Sequence, residues 1–380
     1  SSLKPGVFGK YNSEDFEIFF EFTSRIMSIQ DVDSIYSTPS FKWYSYEPKT
    51  SGRGAYFSSS YFPGKWGLTI ELKDYFFDNA NPDERNHLPF KLGRSSLITG
   101  PPSTFKEHSS ILLSRKTHIM DPDDELGFQI EFNYQANENL FLTLNYSRSS
   151  RHSSFEKNTD EFFNSYWNNK KLSNPFIPSS NYGFHPFHEA YLEFNYRYDP
   201  FGMNFTAGLS QANEVMLYKG QSFISSERIN IQTDEYRLNE FFHQRNLFSI
   251  PSRLSVNLPR SLYFSLDMEH QWEGMELVRK TSILNYDKTT SDSLENLDKE
   301  VLPYYYRYSS ITFGKASRFN VSFLLDYVSN TKTGDNYNTD PNKDNDLERI
   351  LRRNEINLKN KWFGVEASIY LNPSTILTLF

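Results

Sequence analysis

Cysteine is absent from the 380 residues, which excludes a disulfide framework, thiolate catalysis and cysteine-ligated metal. Nowhere does the sequence hold an apolar run of about 18 residues, so a transmembrane helix is excluded as well. Glycine is scarce at 17 residues, and neither a phosphate-cradling glycine loop nor a G-x-S-x-G nucleophile motif occurs. A basic surplus is missing too. The formal net charge of -7 gives a nucleic-acid partner no support, because phosphate binding needs a basic footprint. On these grounds the sequence predicts no enzyme and no cofactor.

Aromatic residues, by contrast, are abundant: 34 Phe and 25 Tyr help bring the aromatic share to 17%. The chain as a whole is nevertheless polar, with a mean hydropathy of -0.64. Many aromatics in a polar chain suit strands with one lipid-facing side, polar loops and aromatic girdles better than they suit a soluble core.

The residue pattern carries this further. In Leu126 to Ala136, the residues Leu126, Phe128, Ile130, Phe132 and Tyr134 share one face, and Gly127, Gln129, Glu131, Asn133 and Gln135 the other. This is the period of two that marks a strand. The same alternation places thirteen strands near 14–26, 54–62, 66–77, 125–136, 140–150, 187–198, 203–218, 247–258, 261–273, 303–313, 318–330, 354–371 and 375–380. Six turns of two to four residues join them, at Pro63 to Lys65, Asn137 to Asn139, Asp199 to Gly202, Pro259 to Arg260, Gly314 to Ser317 and Asn372 to Ser374. Pro, Gly, Asn and Asp sit where the backbone must reverse. Six connections of 23 to 47 residues alternate with these turns. In the twelfth strand Ile356 and Leu358 set one phase and Val365, Ala367 and Ile369 the other, which predicts a bulge around Asn360 to Gly364.

One-sided loop lengths of this kind are the layout of an outer-membrane β-barrel, with short periplasmic turns and long extracellular loops. The expected fold is therefore all-β, an antiparallel transmembrane barrel of about 14 strands in a bacterial outer membrane. Trp66, Trp272 and Trp362 fall where interfacial girdles belong. The thirteenth strand points outward, so residues 1–380 read as a single barrel domain lacking at least one C-terminal strand, and Phe380 carries no weight as an assembly signal. A soluble β-rich surface protein also alternates apolar and polar residues and stays open as an alternative.

The stretch from Pro101-Pro102-Ser103-Thr104-Phe105-Lys106-Glu107-His108 through Asp121-Pro122-Asp123-Asp124-Glu125-Leu126-Gly127-Phe128-Gln129 resembles uncharacterised outer-membrane barrels of Bacteroidota. Gly52-Arg53-Gly54 leading into Leu72-Lys73-Asp74-Tyr75 is similar in kind. The resemblance implies location and fold and transfers no catalytic residue.

Nine inward-facing acids, Glu17, Glu21, Glu71, Glu131, Glu193, Asp267, Glu269, Asp326 and Glu366, stand against three bases, Lys73, Arg197 and Lys359. An acidic lumen of this kind favours cations and points to a porin-like transport channel. Two alternatives compete with it: basic residues from inserted loops pair with these carboxylates and close the lumen, or the chain is a plugged accessory subunit of a larger outer-membrane complex. The partners expected are the lipid bilayer and lipopolysaccharide, together with other outer-membrane or surface proteins. Asp340, Asn342, Asp344 and Asp346 imitate the first half of a calcium loop, but Asn345 and Leu351 stand where its Gly and Glu belong. His185, His188 and Glu189, and likewise His108 and His118 with the Asp121 to Glu125 run, read as packing and hydrogen-bonding groups in preference to metal ligands.

Overall fold

Hairpins built on this alternation make up the computed structural model, which describes residues 2–3, 5–28, 49–77, 106–118, 124–159, 165–172, 174, 176–217, 225–230, 235–284, 290–316, 318–330, 360–372 and 375–379. Its strands are β1 (Ser2–Leu3), β2 (Gly6–Asn12), β3 (Phe16–Ser28), β4 (Lys49–Tyr61), β5 (Trp66–Phe77), β6 (Asp124–Gln135), β7 (Leu140–Ser150), β8 (Ser153–Thr159) and β9 (Ser165–Lys171). They continue with β10 (Phe187–Tyr198), β11 (Met203–Leu217), β12 (Ser225–Asn230), β13 (Glu235–Leu258), β14 (Leu262–Leu284), β15 (Thr290–Lys315), β16 (Phe319–Asn330), β17 (Asn360–Asn372) and β18 (Thr375–Leu379). Among the described residues one short α-helix, α1 (Ile111–Arg115), interrupts them. Among the described residues no helix is long and apolar enough to cross a membrane.

Sixteen of the strands form one antiparallel sheet, in the order β1-β3-β4-β5-β6-β7-β10-β11-β13-β14-β15-β16-β17-β18, with β2 also paired to β3 and β12 to β13. β8 and β9 make a separate hairpin. Within the described residues the sheet is not closed: β1 and β2 form one edge and β18 the other. Turn chemistry sets the hairpins. Gly64 and Gly202 take positive φ, a conformation without penalty for glycine. Asn137 Oδ1 accepts from the backbone N–H of Asn139 and Leu140 at 2.8 and 2.9 Å.

Four expectations need correction. β2 was not among the thirteen strands; it joins β3 through residues 13–15, where Ser13 N donates to Phe16 O at 2.8 Å. β13, β14 and β15 run for 24, 23 and 26 residues, so much of the connections expected at 219–246 and 274–302 is strand. No bulge occurs at Asn360 to Gly364: pairing of β16 with β17 is unbroken from Val328↔Asn360 to Phe319↔Ile369. Ile356 and Leu358, which set the opposing phase, lie outside the described residues. Finally, Trp362 pairs with Asp326, and cross-strand partners share a face. It therefore stands on the polar side, and its neighbour Phe363 takes the apolar one.

Burial across this sheet is the reverse of a soluble core. The apolar row Phe132, Leu144, Leu192 and Leu209 is in register, and Leu144 is 49% exposed. Phe323 and Val365, paired further along the sheet, are also largely exposed. The polar row Glu131, Asn145, Tyr191, Ser210, Ser249 and Gln271 crosses the opposite face. There Ser210, Ser249 and Gln271 are at most 2% exposed.

Candidate functional site

Residues 106–118, from the connection between β5 and β6, cover the polar face and bring basic groups to its acids. Lys106 Nζ lies 2.8 Å from Glu131 of β6, and His108 Nε2 lies 2.7 Å from Glu189 of β10, which also accepts from Ser210 Oγ at 2.9 Å. The α1 turn rests on β14. Glu269 accepts from Ser110 Oγ at 3.1 Å and from the backbone N–H groups of Ile111 and Leu112 at 2.9 and 2.6 Å. Those N–H groups belong to a first helical turn, which has no internal acceptors for them. One carboxylate thus caps the helix and fixes its place on the sheet. Leu112 and Leu113 are buried beneath the segment, and Gln271 Nε2 donates to the Leu112 carbonyl at 3.3 Å.

Beyond the helix, Arg115 pairs with Asp326 of β16 at 2.6 Å and Lys116 with Glu273 of β14 at 3.1 Å. Tyr306 OH donates to the same Glu273 at 2.7 Å. His118 ends the segment between two carboxylates, with Nδ1 2.7 Å from Glu214 and Nε2 3.2 Å from Glu125. Both ring nitrogens donate only in the imidazolium form. Burial opposes that charge, but Glu125 and Glu214 outweigh it and hold the His118 pKa up at about 9. Lys73, 2.6 Å from Glu125, and Arg245, bonded to Glu214, complete a buried network around the ring. His118 also stacks on Phe187 at 4.2 Å between ring centroids. Between segment and sheet lies a cavity of about 20 Å³, lined among others by Lys106, His108, Lys116, His118 and Glu189.

The acids singled out in the sequence divide into groups. Glu131, Glu269 and Asp326 are engaged by residues 106–118. Glu193 accepts from Tyr191 OH at 2.6 Å, and Asp267 is bonded by Arg253 and Ser310. Glu17 pairs with Lys10 at 2.7 Å near the sheet edge. Glu21 faces Tyr56, Tyr56 bonds Glu71, and Glu366 faces Ser322. Lys73 is buried against Glu125, whereas Arg197 is mostly exposed beside Asp199 at the turn. Lys359 and the calcium-like Asp340, Asn342, Asp344 and Asp346 lie outside the described residues, as do Asp121 to Asp123.

Glu273 and Glu214 escaped sequence reasoning, as did Glu189 as the partner of His108, whereas His118 and the run ending in Glu125 were read together as hydrogen-bonding groups. The signal that could have found them is charge complementarity, because residues 106–118 hold Lys106, His108, Arg115, Lys116 and His118. His188 and Glu189 alternate across β10 and so face opposite ways, which separates that candidate ligand pair. Among the described residues no group of three His, Asp or Glu side chains is arranged to hold a metal. Trp66 and Trp272 stand on the apolar face, against Tyr61 and Phe132 and against Phe248 and Tyr305 respectively. No protein-family model matches the chain, and no curated protein matches it.

Proposed function

We propose that the chain forms the wall of a bacterial outer-membrane β-barrel whose lumen is closed from within by residues 106–118, and that it serves as a membrane-embedded subunit of a larger outer-membrane complex. The inverted burial carries this reading: a face of exposed Phe, Leu, Ile and Val backs onto a face of buried Ser, Asn, Gln and Glu. In water such a face is an unmet hydrophobic surface, whereas in lipid it is the expected outer wall. Closure is supported by strand direction. β2 runs toward the short-turn end and β18 away from it, so pairing of the two edges would be antiparallel, and closure would leave no unpaired edge in lipid.

Plugging is favoured over an open pore because the inserted segment brings cations to Glu131, Glu273 and Asp326 and occupies Glu269 with Ser110 Oγ and two backbone N–H groups. The adjoining cavity, about 20 Å³, has room for roughly one water. Phe176, Ile177 and Leu294 are exposed outside the apolar face and offer contact to protein partners. A second reading, a porin-like cation channel, draws on the same acids: withdrawal of residues 106–118 would return them to the lumen. Reconstitution in planar bilayers separates the two. The plugged subunit gives no steady conductance until the segment is released, whereas steady cation-selective conductance from the unaltered chain would overturn the plugged reading. Unchanged gel migration on heating would instead favour a soluble β-rich surface protein.

A further inference from the structure

Towards the long-loop end, the apolar face meets a polar boundary whose character changes around the sheet. On β4 to β6 the boundary charges are balanced: Arg53 pairs with Asp74 at 3.0 Å, and His152 bridges Asp74 and Asp124 at 3.0 and 3.1 Å. From β7 to β13 the row in register is Arg148, His188, Asn213 and Asn246, with the two amides bonded to each other. From β14 to β17 it is His270, Arg307, Tyr327 and Lys361.

That last row differs from the others. Arg307 and Lys361 are exposed, and among the described residues neither has a carboxylate partner. The acids nearest the row, Asp267, Glu269, Asp326 and Glu366, alternate onto the opposite face, and Glu276, on the row's own face, lies six residues along β14 from His270 and accepts from Asn246 Nδ2 at 3.3 Å. Flanking rows on the same face are Met268, Ser309, Leu325 and Phe363 on one side and Trp272, Tyr305 and Ser329 on the other, none of them acidic. Aromatic rings hold the row together: Lys361 Nζ sits 5.6 Å from the Tyr327 ring centroid, Tyr305 packs edge-on to Tyr327 at 6.2 Å, and His270 stacks on Tyr305 at 5.9 Å. Three strand spacings of about 4.8 Å place all four side chains within roughly 15 Å. Cations at the rim of an apolar wall stand at headgroup level, where lipid phosphates are the anions within their reach.

We propose that His270, Arg307, Tyr327 and Lys361 form a site for the phosphate of a membrane-lipid headgroup, with the acyl chains lying along the apolar face below, over Met268, Leu325 and Phe363. The geometry fits a phosphate carried on a lipid better than a free ion, because the cations border the apolar face instead of lining a pocket. This inference rests on the membrane reading above.

The test uses the full chain in neutral detergent micelles, titrated with diphosphoryl lipid A, with the dephosphorylated form of that lipid and with inorganic phosphate. Two cations near a membrane surface correspond to roughly a 30-fold change in affinity. Lipid A is expected to bind R307Q/K361Q weaker than the unaltered chain by about that factor. The dephosphorylated lipid should bind both alike, and R307K/K361R should restore binding. Equal binding of lipid A to R307Q/K361Q, or binding of inorganic phosphate as tight as that of lipid A, overturns the site. Heat-modifiable migration of both variants reports folding. If the unaltered chain neither shifts on heating nor enters vesicles, the membrane reading fails. If it does both and R307Q/K361Q still binds lipid A normally, only the phosphate site fails.

Discussion

Replacing Glu269 by Ala should release the helical turn of residues 106–118 while leaving the sheet in place. The carboxylate is 5% exposed and accepts three bonds from the segment, one from Ser110 Oγ and two from the N–H groups of Ile111 and Leu112. Removing the carboxylate leaves three neutral donors without their acceptor, and at about 1–3 kcal/mol for each such group, less where water reaches the two part-buried ones, the loss comes to about 3–5 kcal/mol. Of the other contacts, Arg115 with Asp326 is the clearest comparison: Arg115 is 44% exposed, and an exposed pair contributes at most about 1 kcal/mol. Hydrogen exchange read on a peptide spanning 106–118 converts these values into rates. At 1.4 kcal/mol per factor of ten, E269A should speed exchange roughly 100- to 4,000-fold and R115A by about fivefold or less. Gel migration on heating should be the same for both, since neither side chain lies on the apolar face. Exchange in E269A within threefold of the unaltered chain, or a larger effect from R115A, would refute the assignment of Glu269 as the segment's main anchor.

Alkaline pH should loosen the other end of the segment. A folded His118 pKa of about 9 lies above the unfolded value near 6.5, so the proton is bound more tightly in the folded state. Its stabilising contribution is complete below about 6.5 and is lost as pH rises through about 9. Limited proteolysis between residues 106 and 124 should accelerate from pH 7 to pH 10, and H118Q should flatten that dependence. On the apolar face, Leu192→Lys should cost about 2–4 kcal/mol of insertion free energy at mid-bilayer. A change at an exposed site of a soluble protein stays within about 0.5 kcal/mol, and refolding yield into vesicles reads the difference. Brominated lipids should quench single-tryptophan chains retaining Trp66 or Trp272 more strongly than one retaining Trp362, because only the first two stand on the apolar face.

The sheet was legible because each strand writes its two faces into alternate residues and each short turn carries Gly, Pro, Asn or Asp. β10 runs from Phe187 to Tyr198 just as the alternation predicts. β2 escaped because Gly6, Gly9 and Lys10 break both of its apolar series. Trp362 was placed on the wrong face because Trp362-Phe363 offers an aromatic residue to either phase, and only the pairing with Asp326 decides between them. The extensions of β13 and β14 stayed hidden by length, since a strand sized to a bilayer ends long before Leu284. Nor does local sequence reveal contacts such as Ile111 to Glu269, 158 residues apart. Only the excess of bases in 106–118 over the acids of the sheet hints at them.

A spin-label scan of β10 and β11 in lipid vesicles tests the membrane wall most directly, and the absence of cysteine permits single labels without background. Labels at Ala190, Leu192, Phe194, Ala207 and Leu209 should be open to dissolved oxygen and shielded from an aqueous nickel chelate, while Glu193 and Asn195 show no such lipid signature. Strong nickel access at 190, 192 and 194 would contradict the account, because it would place the apolar face in water.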